Sequence, residues 1–337
     1  MSKRLTVEFI FIGFETTMSA KKDKRKVASH CDWMSQLPPK LHNIPLYDLA
    51  IPGSHDSMSY DLDINSSIIE PDRLQRLSKI YCVRKIVRKW AITQETITKQ
   101  LDAGVRYFDL RIARKARDHD PTRLYFCHGL YTHTDVETVL KVIRDWAERH
   151  PKEILILALS HFKGFDKANS AQLHRHLIGF IVTLFGAKLI HIRDVPTLRS
   201  CWDKGRNVII SYDYPTTQHG EIWSKIPYFY GDTMNTTKIE AKLQHILEKA
   251  RPVRFGDNFF VCGLNLTLPE DARTLQYILR PCDNLANVIR RGLPRLLQWT
   301  KRQAAKTPVN IVASDLVTCD DFIQTVIELN ALKSTRA

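Results

Sequence analysis

A chain of 337 residues with 44% hydrophobic and 26% charged residues can bury a sizeable core, which excludes an intrinsically disordered protein. Its 50 lysine and arginine residues exceed its 36 acidic residues, and the net charge of +14 favours contact with nucleic acid, an anionic membrane or a phosphorylated substrate. Charge alone does not choose among these three partners, and a solvated basic surface explains it equally well.

The N-terminal segment is apolar over Leu5–Met18, as in a signal peptide, but it contains Glu8 and Glu15 and is too short to span a bilayer. A basic run, Lys21–Lys26, follows. We therefore expect a poorly ordered basic leader over residues 1–30 that can touch a membrane, and one domain over residues 31–337. No other stretch has the length and apolar composition of a transmembrane helix.

The seven cysteines are scattered along the chain and include no C-x-x-C pair. This pattern argues against a disulfide framework and against a thiolate zinc site. It predicts a protein of a reducing, cytoplasmic compartment.

From Trp33 onward, short apolar runs alternate with longer amphipathic patterns. Several runs are continuously apolar, as expected for parallel strands that are buried on both faces. The strand candidates are 46–51, 105–113, 124–128, 153–161, 207–213, 259–266 and 309–317, with a weaker eighth near 227–230. The helix candidates are 134–150, 173–185, 238–250, 284–304 and 321–332.

Strand–helix alternation of this length predicts a parallel α/β fold, either a barrel or a doubly wound sheet. No G-x-G-x-x-G or Walker sequence follows the early strands, which argues against a dinucleotide or nucleoside triphosphate site. A TIM-type (β/α) barrel is therefore the favoured fold.

Ionisable residues are concentrated at the predicted strand ends, where barrel enzymes place their active sites. The first strand leads through a Pro52-Gly53 turn to His55 and Asp56, and the second contains Asp109 and Arg111 on one face. The ends of two further strands add His128 and Asp315. Each feature alone has an ordinary explanation, since a histidine at a turn or in a core and an Asp–Arg salt bridge are common. Their joint placement favours a general acid–base site.

Two histidines beside an arginine suit phosphodiester chemistry. A neutral imidazole takes a proton from the attacking hydroxyl, and a protonated one gives a proton to the leaving oxygen. A guanidinium binds the phosphoryl oxygens and stabilises the charge that develops on them.

Four segments resemble the X domain of phosphatidylinositol-specific phospholipase C, in particular the short eukaryotic proteins that consist of an X domain alone. They are "LAIPGSHDSMSYDL", "QLDAGVRYFDLRI", "LYFCHGLY" and "VNIVASDLV", and the similarity extends from about Trp33 to about Leu332. The resemblance implies an irregular or incompletely closed TIM-type barrel that cleaves phosphatidylinositol to diacylglycerol and a cyclic inositol phosphate.

The resemblance also implies roles for individual residues. His55 resembles the general base and Asp315 its carboxylate partner, whereas His128 resembles the general acid. Asp56 and Asp109 resemble the carboxylates that support the arginine and the acid in bacterial members.

A calcium-independent site, with no metal and no cofactor, is expected from two positions. Arg111 and Ser160 stand where calcium-dependent members have acidic ligands. Ser160 would then face the substrate. Tyr212, at the end of its strand, either packs on the inositol ring or fills the core. The substrate-loop pattern departs from that of relatives, because it reads Tyr230-Gly231-Asp232.

The expected partner is phosphatidylinositol in an anionic membrane surface, which the protein contacts peripherally. The alternative is a catalytically weak scaffold that binds inositol lipids, favoured by the departure at Asp232. A nucleic-acid binder is disfavoured, because the aromatic residues lie within strand and helix patterns rather than among clustered basic residues. The oligomeric state is left open.

Overall fold

The structure, a computed structural model, describes residues 30–116, 118–215, 219–250, 258–269, 276–277, 283–307, 309–319 and 321–334. The predicted leader over residues 1–30 lies outside this range except for its last residue, His30. The described part of the chain contains six cysteines, and all six are free thiols, as the sequence predicts.

Ten strands are present in the described residues, and each is short. They are β1 (Ile51–Ser54), β2 (Tyr107–Ala113), β3 (Tyr125–His128), β4 (Leu130–Asp135), β5 (Leu155–Lys163), β6 (Val208–Tyr212), β7 (Ile222–Ser224), β8 (Tyr228–Tyr230), β9 (Val261–Gly263) and β10 (Ile311–Ser314).

Eight of these strands pair in parallel in the order β7-β6-β5-β2-β1-β10-β9-β8, which forms an open barrel. The strands β7 and β8 are the two ends of this order. Only residues 225–227 connect them, whereas adjacent parallel strands need a crossover of about a dozen residues or more. The short connection therefore leaves the barrel open at this point, and the predicted α/β barrel is confirmed in its incompletely closed form.

The predicted parallel strand over residues 124–128 is wrong in its direction. β3 pairs antiparallel with the outer end of β2, and it forms a hairpin with β4. A single Gly129 separates the two strands of the hairpin, and its φ of 72° allows this tight reversal. The weaker candidate near 227–230 is confirmed as β8, and β7, which the sequence does not predict, completes the eight parallel strands.

The helices cover the outside of the sheet. They are α1 (Asp72–Gln75), α2 (Tyr81–Ala91), α3 (Ile97–Ala103), α4 (Val136–Arg149), α5 (Ser170–Phe185), α6 (Leu198–Asp203), α7 (Thr236–Ala250), α8 (Leu285–Ala304) and α9 (Phe322–Ser334). The five predicted helices are confirmed, with ends that shift by a few residues. Asp135 caps α4, because its carboxylate accepts a hydrogen bond from the Thr138 N–H.

Alternation along the strands divides the core into two layers. Phe108, Leu157 and Ile210 belong to the layer between the sheet and the helices. Tyr107 and Ile156, each one position away, belong to a second cluster that contains the opposite face of the strands. The odd-numbered residues of β2, which include Asp109 and Arg111, therefore point into the barrel.

The first strand begins later than the sequence predicts. Residues Leu46–Asp48 form a turn of 3-10 helix, and Pro52 and Gly53 lie within β1 rather than in a turn. A Cβ atom on Gly53 would lie 3.0 Å from side-chain atoms of Ile311 and Tyr107, so a larger residue would require these neighbours to shift. This close approach sets the position of the residues that follow β1.

Candidate active site

The structure brings together the six residues for which the sequence predicts catalytic roles. His55 and Asp56 follow β1 and Asp315 follows β10, while Asp109 and Arg111 lie on β2. Ser54 pairs with Ser314, so His55 and Asp315 follow adjacent strands at the same level. The sixth residue, His128, ends β3. We call these six residues the histidine–arginine cluster.

His55 is held by a buried carboxylate. Its Nδ1 lies 3.0 Å from Asp315 Oδ1, and the same oxygen accepts a hydrogen bond of 2.8 Å from Thr93 Oγ1. An ionised carboxylate can only accept, so the proton of neutral His55 resides on Nδ1, and Nε2 is the nitrogen whose lone pair can act as a base. Burial lowers the pKa of His55, but Asp56 and Asp315 outweigh it and raise the pKa above its ordinary value.

Arg111 lies within hydrogen-bond distance of the basic nitrogen of His55 in this structure. Its NH2 group lies 2.8 Å from His55 Nε2, and its Nε lies 2.7 Å from Asp56 Oδ1 and 3.2 Å from Asp109 Oδ2. Burial lowers the pKa of Arg111, but the two carboxylates raise it well above its ordinary value, so the guanidinium is always charged. Burial alone would raise the pKa of Asp109, and Arg111 reverses the direction and lowers it.

Asp56 connects the arginine to the second histidine. Its side chain is fully buried, and its Oδ2 lies 3.1 Å from His128 Nε2. Its φ of 44° is left-handed, a conformation that is uncommon for residues other than glycine and is enriched at functional sites. Its backbone N–H donates to Asp109 Oδ2 at 3.2 Å, which holds this turn against β2.

His128 is oriented for proton donation. Its Nδ1 lies 2.9 Å from the carbonyl oxygen of Ala91, which can only accept, so Nδ1 carries a proton. Its Nε2 faces the carboxylate of Asp56 at a distance of 3.1 Å. The ring centroids of His55 and His128 lie 6.5 Å apart, and Asp56 Oδ2 lies 3.4 Å from His55 Nε2 and 3.1 Å from His128 Nε2. The site thus presents one imidazole that can accept a proton and one that can donate it.

A cation could in principle be held by His55, Asp56 and Asp109, whose donor atoms lie within 4.8 Å of one another. The Arg111 guanidinium already contacts both carboxylates and the imidazole of this group. A second cation would be repelled by this fixed positive charge, and it would have to displace Arg111. The donor set therefore fits calcium poorly, because that ion prefers six to eight oxygen ligands.

Ser160 and Tyr212 lie in different environments. Ser160 pairs with Arg111 across β2 and β5, at the edge of the cluster, and it is half-buried. Tyr212 is 1% exposed, and its hydroxyl lies 2.9 Å from Nδ1 of His174 on α5. Tyr212 therefore fills the core between sheet and helices, and the expectation that it packs on an inositol ring is wrong. Tyr212 pairs with Leu159 on β5, and both side chains lie on the face of the sheet that packs against the helices.

Three residues near the cluster have no signal in the sequence that singles them out. Thr93 and Gln94 lie in the loop between α2 and α3, and the Gln94 amide donates to the carbonyl oxygens of His55 and Ser314. Tyr228 on β8 lies 6.0 Å from the ring of His55. These residues approach the cluster because segments that are distant in the sequence pack together, and a local sequence pattern does not contain that information.

The family model described as "PI-PLC X 1" matches residues 89–260. PI-PLC X domain-containing protein 1 of Homo sapiens is 39% identical, over 89% of this chain and 94% of that protein. The chain belongs to the PI-PLC X domain family. PI-PLC X domain-containing protein 2 of Mus musculus is 38% identical over 96% of this X-domain protein and 95% of that relative.

Solved structures show the same fold at lower identity. The phosphatidylinositol-specific phospholipase C of S. aureus superposes with a TM-score of 0.63 at 18% identity, over 89% of this chain and 97% of that one. The enzyme of the same name from Listeria monocytogenes gives a TM-score of 0.61 at 18% identity, over 90% and 99%. The X domain described here therefore has the fold of the bacterial phospholipases C.

Proposed function

We propose that this X domain is a phosphoric diester hydrolase that cleaves phosphatidylinositol to diacylglycerol and inositol phosphate through a cyclic intermediate. The observation that carries the proposal is the convergence of His55, His128 and Arg111 on the buried carboxylate of Asp56, while a separate acceptor holds Nδ1 of each histidine. The family and the fold support a phospholipase C-like protein, and the reaction itself rests on this geometry.

In the first step, His55 Nε2 takes the proton of the inositol 2-hydroxyl, and the freed oxygen attacks the phosphorus. The bond from phosphorus to the diacylglycerol oxygen breaks, and His128 Nε2 gives its proton to that oxygen. In the second step a water molecule replaces the alcohol, with the two histidines in exchanged roles, and opens the cyclic phosphate. Asp315 stabilises the imidazolium that His55 becomes.

Phosphate binding has to change the position of Arg111. The guanidinium donates to the nitrogen that the base must use, so His55 cannot accept a proton while this contact persists. A phosphodiester anion competes for the guanidinium, because arginine matches the geometry of phosphoryl oxygens. Substrate binding then frees His55 Nε2 and places positive charge on the phosphoryl group, with Asp56 still bound to Nε.

Arg111 supplies the charge that calcium supplies in other members, so we propose turnover without a metal. The lipid is met at an anionic membrane surface, towards which the net charge of +14 draws the protein. No helix in the described ranges is both long and apolar enough to cross a membrane.

The experiment is product analysis on phosphatidylinositol vesicles with wild type and His128→Ala, each with and without EDTA. We expect diacylglycerol and cyclic inositol phosphate from wild type alone, at a rate that EDTA does not change, and a loss of about 10²–10⁴-fold in the variant. Loss of activity in EDTA would contradict the role of Arg111. Vesicle binding without product, by both proteins, would favour the lipid-binding scaffold.

A further inference from the structure

A bulge interrupts the pairing of β2 and β5 beside the histidine–arginine cluster. The two strands pair residue for residue up to Arg111 and Ser160, and the next pair is Ala113 with Lys163. The strand β5 thus has one residue more than β2 over this interval. Such bulges re-aim a side chain and occur next to active sites.

The bulge is built from strained residues. His161 has a φ of 71° and Phe162 a φ of 47°, and a left-handed backbone costs about 1–2 kcal/mol for a residue with a Cβ atom. The ring of Phe162 packs 4.7 Å from His174 and 4.8 Å from Tyr212, between ring centroids. This aromatic packing holds Phe162 in the core layer and forces His161 out of the regular strand.

The result is a histidine that leaves the regular strand at the edge of the cluster. His161 follows Ser160, the partner of Arg111, and its Nδ1 lies 3.1 Å from Ser160 Oγ. The charged groups that act on it are Arg111, Asp109, Glu70 and Asp56. Desolvation and then Arg111 lower the pKa of His161, and the acidic groups oppose them without reversing the direction, which favours the neutral imidazole.

We propose that His161 binds a ring hydroxyl of the inositol headgroup through Nε2 and makes the site selective for an inositol ring that is not phosphorylated there. The inference rests on the proposed function and names its substrate class. A neutral imidazole with Nδ1 engaged by Ser160 matches a hydroxyl, which both donates and accepts a hydrogen bond. A phosphate at the same place would require a cation.

The other groups at this edge also disfavour a ring phosphate. Glu70 and Asp72 lie 2.9 Å and 3.8 Å from Lys163 Nζ, so two carboxylates face a single ammonium group. Burial raises the pKa of Glu70, but Lys163 outweighs it and lowers the pKa, which keeps Glu70 ionised. The excess of negative charge repels an additional phosphate.

The left-handed backbone of His161 permits a clean test. Glycine and asparagine both tolerate this conformation, so His161→Gly removes the side chain and relieves strain, whereas His161→Asn keeps a donor and an acceptor. His245→Ala, on the exposed face of α7, serves as the control. The proteins are assayed on vesicles of phosphatidylinositol and of its ring-phosphorylated forms, for binding of soluble glycerophosphoinositol by calorimetry, and for Tm.

We expect kcat/KM for phosphatidylinositol to fall about tenfold to hundredfold in His161→Gly, chiefly through KM, while Tm stays equal or rises. His161→Asn should recover part of the loss, His245→Ala should match wild type, and wild type should prefer phosphatidylinositol to the ring-phosphorylated lipids. Wild-type turnover and headgroup binding in His161→Gly, or a wild-type preference for ring-phosphorylated lipid, would overturn the inference and leave the proposed function standing.

Failure of the proposed function gives a different result. Wild type would then release no product, and weaker binding of glycerophosphoinositol by His161→Gly than by wild type would still support the contact. Absence of both turnover and headgroup binding in wild type would overturn the function and the inference together.

Discussion

Asp315→Asn separates the charge of the carboxylate from its geometry. Both His55 Nδ1 and Thr93 Oγ1 converge on Asp315 Oδ1, at 3.0 Å and 2.8 Å. An asparagine carbonyl oxygen at the same place accepts both hydrogen bonds, so the ring of His55 keeps its orientation. The substitution removes the negative charge that supports the imidazolium.

The rate and its pH dependence should both change. Loss of the charge should reduce kcat/KM by about 10²–10⁴-fold, which corresponds to about 3 to 5 kcal/mol of transition-state stabilisation. General base catalysis requires neutral His55, so activity rises as the pH passes upward through the pKa of this residue. Asp315 is one of the groups that raise that pKa, so the rising limb should move to lower pH in the variant.

The assay is a pH–rate profile on phosphatidylinositol vesicles, with Asp194→Asn as the control on the loop before α6. Asp315 Oδ2 is buried without a hydrogen-bond partner among the described residues, and an amide NH2 at this position costs about 1–3 kcal/mol of stability. The profile is therefore measured well below the Tm of each variant. A variant with wild-type kcat/KM and an unmoved rising limb would refute the pairing of Asp315 with His55.

Three further substitutions test the cluster and its support. Arg111→Lys should lose about 10²–10³-fold in kcat/KM, because a single ammonium group cannot bind Asp56 and the phosphoryl oxygens at the same time, as the planar guanidinium does. Added calcium should not restore the activity, and rescue by calcium would contradict the assignment of the positive charge to Arg111. Arg106 and Glu153 form a fully buried ion pair with an N–O distance of 2.7 Å. Glu153→Gln leaves the charge of Arg106 without a counter-ion and should lower the free energy of unfolding, measured in urea, by about 3–5 kcal/mol. A loss below about 1 kcal/mol, as for an exposed pair, would show that the pair is hydrated. Gly53→Ala should lower Tm and activity together, since its Cβ would meet three side-chain atoms at 3.0 to 3.1 Å, and an unchanged Tm would contradict the close approach of β1 to its neighbours.

Strand parity explains where sequence reasoning succeeded. Asp109 and Arg111 stand two positions apart on β2, so any strand across them places both side chains on one face. The same parity, applied to the end of β6, assigns Tyr212 to the outer face with Leu159, which is where the structure has it. Of the two alternatives that the sequence leaves open for Tyr212, parity along the strand therefore selects the core.

The direction of β3 and the first residue of β1 could not be predicted from the sequence in the same way. The apolar run that ends at His128 has the composition of a buried parallel strand, yet it pairs antiparallel with β2. The reason is the one-residue turn at Gly129, because a hairpin forms before any crossover helix can follow. Likewise, Pro52 and Gly53 have the sequence of a turn, and their pairing with β10 and β2 makes them part of a strand.

Hydrophobic periodicity and the ionisable residues at strand ends are local properties, so the sequence was sufficient to predict the fold class, five of the helices and the members of the cluster. The contacts within that cluster are known only from the tertiary structure. Asp56 contacts both Arg111 and His128, and Arg111 lies within hydrogen-bond distance of His55 Nε2. It also placed the strained His161 beside Ser160 at the edge of the site. These contacts join segments far apart in the chain, and their geometry follows from strand register and packing, which no local pattern of residues specifies.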